Sequence, residues 1–404
     1  MAAQRVLILG AGYAGVVAAN RLAGRSPAFR VTVVNPAADF IERIRLHQVA
    51  AGTRASAAVP LGSLLNPAVD LVRDSAVRID PALRLVHLAG SPAPLAYDAL
   101  LYAVGSGHAP AAPGTGDDAG TGDGAGHCFG VQDAPSAARL RSRLRSLAPG
   151  STVSVVGAGL TGLELVTEIA ESHRHRHLRL RLVTRGVVGG DLTPSGARAV
   201  RARLARFGVE VVENTDVRSC DESTLTTSGG AVLPSACTVR AAGFSVPPLA
   251  RDSGLPTDAH GRLLVDSSLS CPDHPGIFGA GDAVKVAGPE GLHLRMSCAS
   301  ALPLGAQAAD GIAAHLDGGG PSPVSAGYVL RCVSLGRGAG LIQPVTAGDH
   351  PRGPVLRGPL AALAKEQVCR MTVSWLRTES RRPGSFTWPR GPKTALPEPA
   401  AGVR

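Results

Sequence analysis

Apolar residues along this chain fall into short dense runs, and the first run sets the pattern. Val6, Leu7, Ile8 and Leu9 are contiguous rather than alternating, as in a strand buried on both faces. The run ends in a glycine-rich turn, and from Tyr13 small and apolar residues continue as a helix to about residue 23. Residues 30–34 (RVTVV) predict a second strand and residues 40–51 a helix. Between 71 and 104, three short runs (VRID, RLVHLA, ALLYAV) predict strands. Residues 109–126, APAAPGTGDDAGTGDGAG, offer almost nothing that could pack and read as a linker. A helix is predicted over 134–147. Strand, turn and helix then recur over 152–172, followed by the strand LRLRLVT and a helix over 195–207. Residues 258–286 return to strands and end in IFGAGDAV, and a helix covers about 297–316. Two further candidate strands (GYVLRCVSL, AGLIQPV) precede a helix near 359–378. The Pro- and Gly-rich stretch from Arg381 on predicts a poorly ordered tail, 381–404.

Composition narrows the class. At 404 residues the chain is too long for one core and fits two or three domains. With 44% hydrophobic and 18% charged residues it should fold as a soluble globular protein. No apolar run approaches the roughly 18 residues of a membrane span. A strand begins almost at once, with no charged-then-apolar leader, so the expected location is cytoplasmic. The net charge of +10 would suit an anionic partner, but only three of the 41 basic residues are lysines (Lys285, Lys365, Lys393) and the arginines are spread along the chain. That spread argues against nucleic acid, which needs a concentrated patch. Seven cysteines stand without CxxC or CxxxxC spacing, which points to reduced thiols and to neither a disulfide framework nor a zinc site.

The chemistry lies in the repeated turn. Gly10, Gly12 and Gly15, and again Gly157, Gly159 and Gly162, have G-x-G-x-x-G spacing, each set following an apolar strand and opening a helix. The first glycine makes the turn, the second lets a pyrophosphate approach the backbone, and the third lets helix pack on strand. The helix N-terminus then offers unpaired N–H groups and a positive dipole end to phosphate. Two such loops imply two dinucleotides.

A third segment, HPGIFGAGDAV (274–284), places Asp282 on a turn after an apolar strand, and YDALLYAVGS (97–106) supplies another strand and turn. These segments, in this order, resemble the flavoproteins with two dinucleotide-binding domains, the FAD- and NAD(P)-dependent pyridine nucleotide oxidoreductases, over residues 5–316. Within them the chain resembles the type II NADH dehydrogenase and apoptosis-inducing-factor-like branch. FIERIRLHQVAAG (40–52) lacks the CxxxxC of the glutathione-reductase branch. RMSCASALPLGAQAADGIA (295–313) is similar to the segment that carries AQxAxQ at the quinone site. Ala306, Gln307 and Ala309 match that pattern, and Gly311 stands where the second Gln would be.

The resemblance implies an α/β fold of two Rossmann-like dinucleotide-binding domains and a small C-terminal α+β part. It divides the chain into an FAD domain (1–110 and 265–318), an NAD(P)H domain (111–264), a C-terminal interface region (319–380) and the tail. It implies cofactor contacts at Gly10, Ala11, Gly12, Tyr13, Ala14, Gly15, Asn35, Arg43, Val77, Ala103, Gly157, Gly159, Leu160, Gly162, Arg185, Gly243, Gly281 and Asp282. Asp282 would bond the ribityl chain. Glu164 would face the nicotinamide, and Gln307 would border the acceptor. The implied activity is hydride transfer from NADH or NADPH to FAD, then electron transfer to a quinone or other small acceptor.

Two acids expected of such a chain are missing. Asn35 replaces the one that would bond the FAD ribose, and an amide can still bond a hydroxyl. Arg185 stands where the second would be, which favours a 2′-phosphate, whereas Gly162 favours NADH, so both nucleotides stay open. Arg43 and His47 are four apart on one helix face, near cofactor or simply structural. His173, His175 and His177 are interleaved with Arg174 and Arg176, and read as a solvated helix end rather than a metal site. Cys298 and Cys332 raise a sulfide:quinone oxidoreductase reading, which an intact nicotinamide loop opposes. Leu360, Leu363, Val368, Met371 and Trp375 form one helical stripe, read first as core packing and second as peripheral contact with the inner face of a membrane. A homodimer stays open, as do a ferredoxin- or rubredoxin-type reductase and a flavin-bound scaffold acting through protein binding.

Overall fold

The computed structural model describes residues 3–107, 128–241, 243 and 245–393. The linker expected over 109–126 lies outside them. The apolar run of β1 (Gln4–Leu9) is buried from Val6 on, and β1 is the middle strand of a five-stranded parallel sheet. α1 (Tyr13–Ala23) follows it. β2 (Phe29–Val34) and β3 (Asp70–Val72) lie on one side of β1. On the other side are β4 (Ala99–Tyr102) and, at the edge, a strand returning from far down the chain, Ile277–Gly279.

The second half repeats this construction. β5 (Cys128–Gly130) and α3 (Ala134–Ser146) lead into β6 (Thr152–Val156), the central strand of a second five-stranded parallel sheet. α4 (Leu160–Ser172), β7 (Arg179–Val183), α5 (Pro194–Arg206), β8 (Glu210–Val212) and β9 (Cys237–Arg240) follow. The order across this sheet is β5-β9-β6-β7-β8, with every pair parallel. The chain then re-enters the first sheet through Ile277–Gly279, which we label β10. Across the first sheet the order is β10-β4-β1-β2-β3. In each sheet the order reverses beside the central strand, β1 or β6. Ligands of open parallel sheets bind outside the C-terminal strand ends at that switch point. The architecture is a doubly wound α/β fold with two Rossmann-like sheets.

Two hydrophobic cores match the two sheets. α6 (Cys298–Leu316) packs on α1 through small residues, and a Cβ on Gly305 would overlap the Ala14 backbone. A C-terminal antiparallel sheet, β11 (Leu330–Ser334), β12 (Gly340–Pro344) and β13 (Leu356–Gly358), leads into α7 (Pro359–Arg381). β11 and β12 feed Val333 and Leu341 into the second core, while α7 feeds Val373 and Leu376 into the first.

Three expectations are corrected here. Residues 40–51 are not one helix: a short strand (Asp39–Ile41) and a 3-10 turn (Arg43–Arg45) precede α2 (Leu46–Ala51). Most of the stripe read first as core points outward, with Leu360 67% and Leu363 63% exposed and Met371 and Trp375 also at the surface, while Val368 is half-buried. The inward face of α7 is Ala361, Cys369, Thr372, Val373 and Leu376. Beyond α7 the described part of the tail packs. Buried Glu379 accepts hydrogen bonds from the Gly384 and Phe386 N–H groups and the Ser385 hydroxyl. Phe386 is buried and stacks on Trp388, whose Nε1 donates to the Ser325 carbonyl at 2.8 Å. Two aromatic anchors and a buried carboxylate outweigh the proline and glycine content there. Residues 394–404 lie outside the described part.

Candidate functional site

The two glycine loops are built alike. Gly10 and Gly157 have φ of +98° and +111°, a region open to glycine at little cost, and each donates its N–H to the end of the neighbouring strand (Val34 and Val183 carbonyls, both 2.8 Å). A Cβ on Gly15 would overlap the Gly10 carbonyl, and one on Gly162 would overlap the Gly157 carbonyl. The third glycines therefore set how closely α1 and α4 approach their strands. Gly12 and Gly159 are the N-caps of those helices, neither makes a side-chain cap bond, and the space where each Cβ would lie is open. Helix N–H groups without a side-chain cap beside a glycine cradle suit a pyrophosphate. This is the fit that a dinucleotide on each loop requires.

Both loops open into one cavity of about 460 Å³. Gly12, Tyr13 and Ala14 line it from the first loop, and Gly159, Leu160 and Glu164 from the second. Arg43, Gly243, Gly281 and Asp282 line it as well. The Ser106 hydroxyl donates to Asp282 Oδ2 at 2.7 Å, and Arg43 Nη1 donates to the Ser106 carbonyl at 2.6 Å. These two contacts bring the Asp282 turn, the strand end after β4 and the 3-10 turn together at one point.

Other sequence candidates lie elsewhere. Ala103 packs against Gly10, and the Ala11 N–H donates to Asn35 Oδ1 at 3.0 Å, so Asn35 braces the first loop. Its Nδ2 donates to the Ala37 carbonyl. Val77 is 52% exposed on a small antiparallel sheet, outside the cavity lining. The Arg185 side chain is at the surface, 4.0 Å from Asp216. Gln307 also lies outside the lining: its Oε1 accepts the Ser325 N–H at 2.7 Å. Cys298, Ala299 and Ala301 line the cavity from the first turn of α6, and Gln307 is turned from them toward the segment that carries Ser325.

Sequence reasoning named Glu164 and raised His47 but missed Lys365, which joins them in the cavity's charged centre. Lys365, from α7, has its Nζ 3.0 Å from Glu164 Oε1, and the Ser334 N–H donates to the same oxygen at 3.1 Å. His47, from α2, has its Nδ1 3.7 Å from Glu164 Oε2. All three side chains line the cavity. Burial alone would push the Glu164 carboxyl up. The Lys365 ammonium, His47 and the Ser334 N–H outweigh it and hold Glu164 below the usual carboxylate range. Burial likewise works against the Lys365 charge, and Glu164 overrides it. His47 goes the other way: burial, with Lys365, Arg337 and Arg45, pulls it down to about 4 against the pull of Glu164. The resting centre is therefore an ion pair beside a neutral imidazole. The one signal in the sequence was that Lys365 is a rare lysine among arginines.

Cys298, Cys332 and Cys369 also line the cavity. Burial pushes the Cys298 thiol up to about 12 and Cys369 up to about 11, so these two are protonated at neutral pH and are poor nucleophiles. Among the described residues no three His, Cys, Asp or Glu side chains group as a metal site.

The sequence pattern of the pyridine nucleotide-disulphide oxidoreductases matches residues 4–301. An NADH dehydrogenase-like protein of Mycobacterium tuberculosis is 33% identical over 74% of this chain and 78% of its own length. A type II NADH:quinone oxidoreductase of the same organism is 30% identical, over 72% of this chain and 69% of its own. The solved sulfide:quinone oxidoreductase of Aquifex aeolicus superposes with a TM-score of 0.80 at 18% identity, covering 95% of this chain and 93% of that one, a likeness of fold.

Proposed function

The chain belongs to the pyridine nucleotide-disulphide oxidoreductase family, and on that premise we propose that it passes electrons from NAD(P)H by way of FAD to a quinone-like acceptor. It is an FAD-dependent NAD(P)H oxidoreductase. The acceptor, the domain limits and the residue roles are our proposal. We assign FAD to residues 1–110 and 265–318, and the nicotinamide nucleotide to residues 111–264.

One observation carries the reading: two glycine-capped helix ends and an ionised Glu164 open into the same cavity. FAD, when bound, supplies the two-electron carrier that takes hydride from the nicotinamide and gives electrons to the acceptor. The protein's part is to hold and orient. The α1 end receives the FAD pyrophosphate, and Asp282, fixed by Ser106, receives the ribityl hydroxyls. The α4 end receives the nucleotide pyrophosphate. Glu164 Oε1 is engaged by Lys365 and Ser334, and Oε2, which has His47 Nδ1 3.7 Å away, is the oxygen we assign to accept a hydrogen bond from the nicotinamide carboxamide. Holding two rings in register removes the entropy of their encounter from the barrier.

A quinone-like acceptor is supported by the relative named for quinone reduction. The outward apolar stripe of α7 supports peripheral contact with the membrane that would hold such an acceptor. No helix among the described residues is long and apolar enough to cross a membrane. The test is steady-state turnover of the FAD-loaded protein with NADH and NADPH. Rapid reduction of a short-chain quinone supports the reading. Turnover only with a ferredoxin- or rubredoxin-type carrier, or no turnover with either, refutes the acceptor assignment.

A further inference from the structure

His47 is 3% exposed and lines the cavity, yet its Nε2 has no hydrogen-bond partner among the described residues. An orphaned buried ring nitrogen costs stability unless a ligand uses it. Three elements besides its own converge on this imidazole. α4 presents Glu164 at Nδ1, and α7 presents Lys365, already paired with Glu164. The segment after β11 presents Arg337, bound to the buried carboxylate of Glu168 and to the Ser334 hydroxyl. Its own segment adds Arg45, paired with Glu42 and Glu366. A carboxylate beside Nδ1 favours the tautomer with its hydrogen there. Nε2 then keeps a lone pair, buried and without a partner among the described residues, on a side chain that lines the cavity.

We propose that His47 is the proton-accepting group of this site, taking one proton at Nε2 when the bound flavin is reduced and giving it up when the acceptor is reduced. The inference rests on the redox reading above and deepens it. Hydride leaves the nicotinamide with two electrons and one proton, and the oxidised pyridine ring departs one positive charge richer. The reduced site keeps one negative charge. A quinone-like acceptor needs two electrons and two protons to become a diol. One proton came with the hydride, and the second is taken from solution: an O–H bond of hydronium breaks, leaving water, as the N–H bond forms at Nε2. That bond breaks when electrons and both protons pass to the acceptor, and His47 returns to neutral. At rest the nearby cations and burial keep the ring uncharged, and a negative charge delivered into the cavity reverses that balance.

The test uses FAD-loaded full-length protein with ¹⁵N-labelled histidine. Of the 12 histidines, the His47 signal is the one missing from His47→Gln. Electrochemical reduction at pH 7 should convert the His47 ring from neutral to cationic. In weakly buffered solution, with an indicator dye, the unaltered protein should take up about one more proton per flavin than His47→Gln. A ring that stays neutral in both states, or equal proton uptake, overturns the inference. If His47→Gln fails to hold FAD, the signal is assigned by sequential backbone connectivity, and the unaltered protein still decides. Failure to bind FAD, or to be reduced by NAD(P)H, overturns the redox reading as well. Normal reduction with a neutral His47 overturns this inference alone.

Discussion

At the scale of single residues, Glu164 is where the sequence and the structure meet. Its place two residues past Gly162 marked it as a candidate, but nothing nearby in the chain showed what keeps it ionised. Lys365 stands about 200 positions away, and only the fold brings its ammonium to the carboxylate. Gln307 shows the converse. Its motif was legible, but a helix turns 100° per residue, and the rotation carries its amide away from the cavity. Glu164→Gln keeps the shape and removes the charge. Hydrogen bonds to charged groups contribute about 1.5–3 kcal/mol, so flavin reduction by NADH should slow by about 10- to 100-fold with FAD content unchanged. Stopped-flow absorbance with a flavin-to-protein ratio checks both, and loss of FAD instead would move Glu164 out of the nucleotide site. His47 makes a separate prediction. Folded, it titrates at about 4; unfolded, near 6.5. Between those values the unfolded chain binds a proton that the native protein does not. Stability therefore falls as pH drops from about 6.5 toward 4, by up to roughly 3 kcal/mol. Urea midpoints of the FAD-free protein across this window should fall more steeply for the native sequence than for His47→Gln. Parallel curves would mean that the imidazole is not held neutral.

At the scale of elements, the strand–turn–helix units were legible because glycine spacing, apolar runs and helix starts all pointed the same way. α7 was harder. It carries two apolar stripes, and helical periodicity does not say which one faces in. Leu376, on the buried face, should cost about 2–5 kcal/mol when changed to Ala. Leu363→Ser, on the outward face, should change stability by no more than about 0.5 kcal/mol. Thermal unfolding of the two variants checks this, and reversed sizes would put the wrong face inward. The tail misled for a different reason: composition averages over a stretch, and Phe386 and Trp388 are enough to anchor it. The two loops invite a paired test. Gly15→Val drives side-chain atoms into the Gly10 carbonyl, and Gly162→Val does the same at Gly157. The first should abolish FAD retention, while the second should leave FAD bound and raise the apparent Kd for NADH at least tenfold. Equal loss of FAD in both would show that the loops do not divide the two nucleotides between them.

At the scale of the whole molecule, what the sequence could not show is that the two loops face one another. Two parallel sheets that share a four-strand order, β4-β1-β2-β3 and β9-β6-β7-β8, and differ in their edge strand place their switch points on a common cavity. α2 belongs to the first half of the chain but packs on α3 and α4 of the second, and α7 closes the cavity with Lys365. On the proposed reading, this assembly of three chain segments would make two binding loops into one reaction site. The central claim is therefore that nicotinamide and flavin meet in that cavity. Anaerobic mixing of FAD-reconstituted protein with NADH or NADPH, following the visible band of oxidised flavin, tests it most directly. Rapid and complete bleaching by at least one nucleotide, lost in Gly162→Val, is the expected result. A protein that holds FAD but keeps its oxidised spectrum with both nucleotides would contradict it.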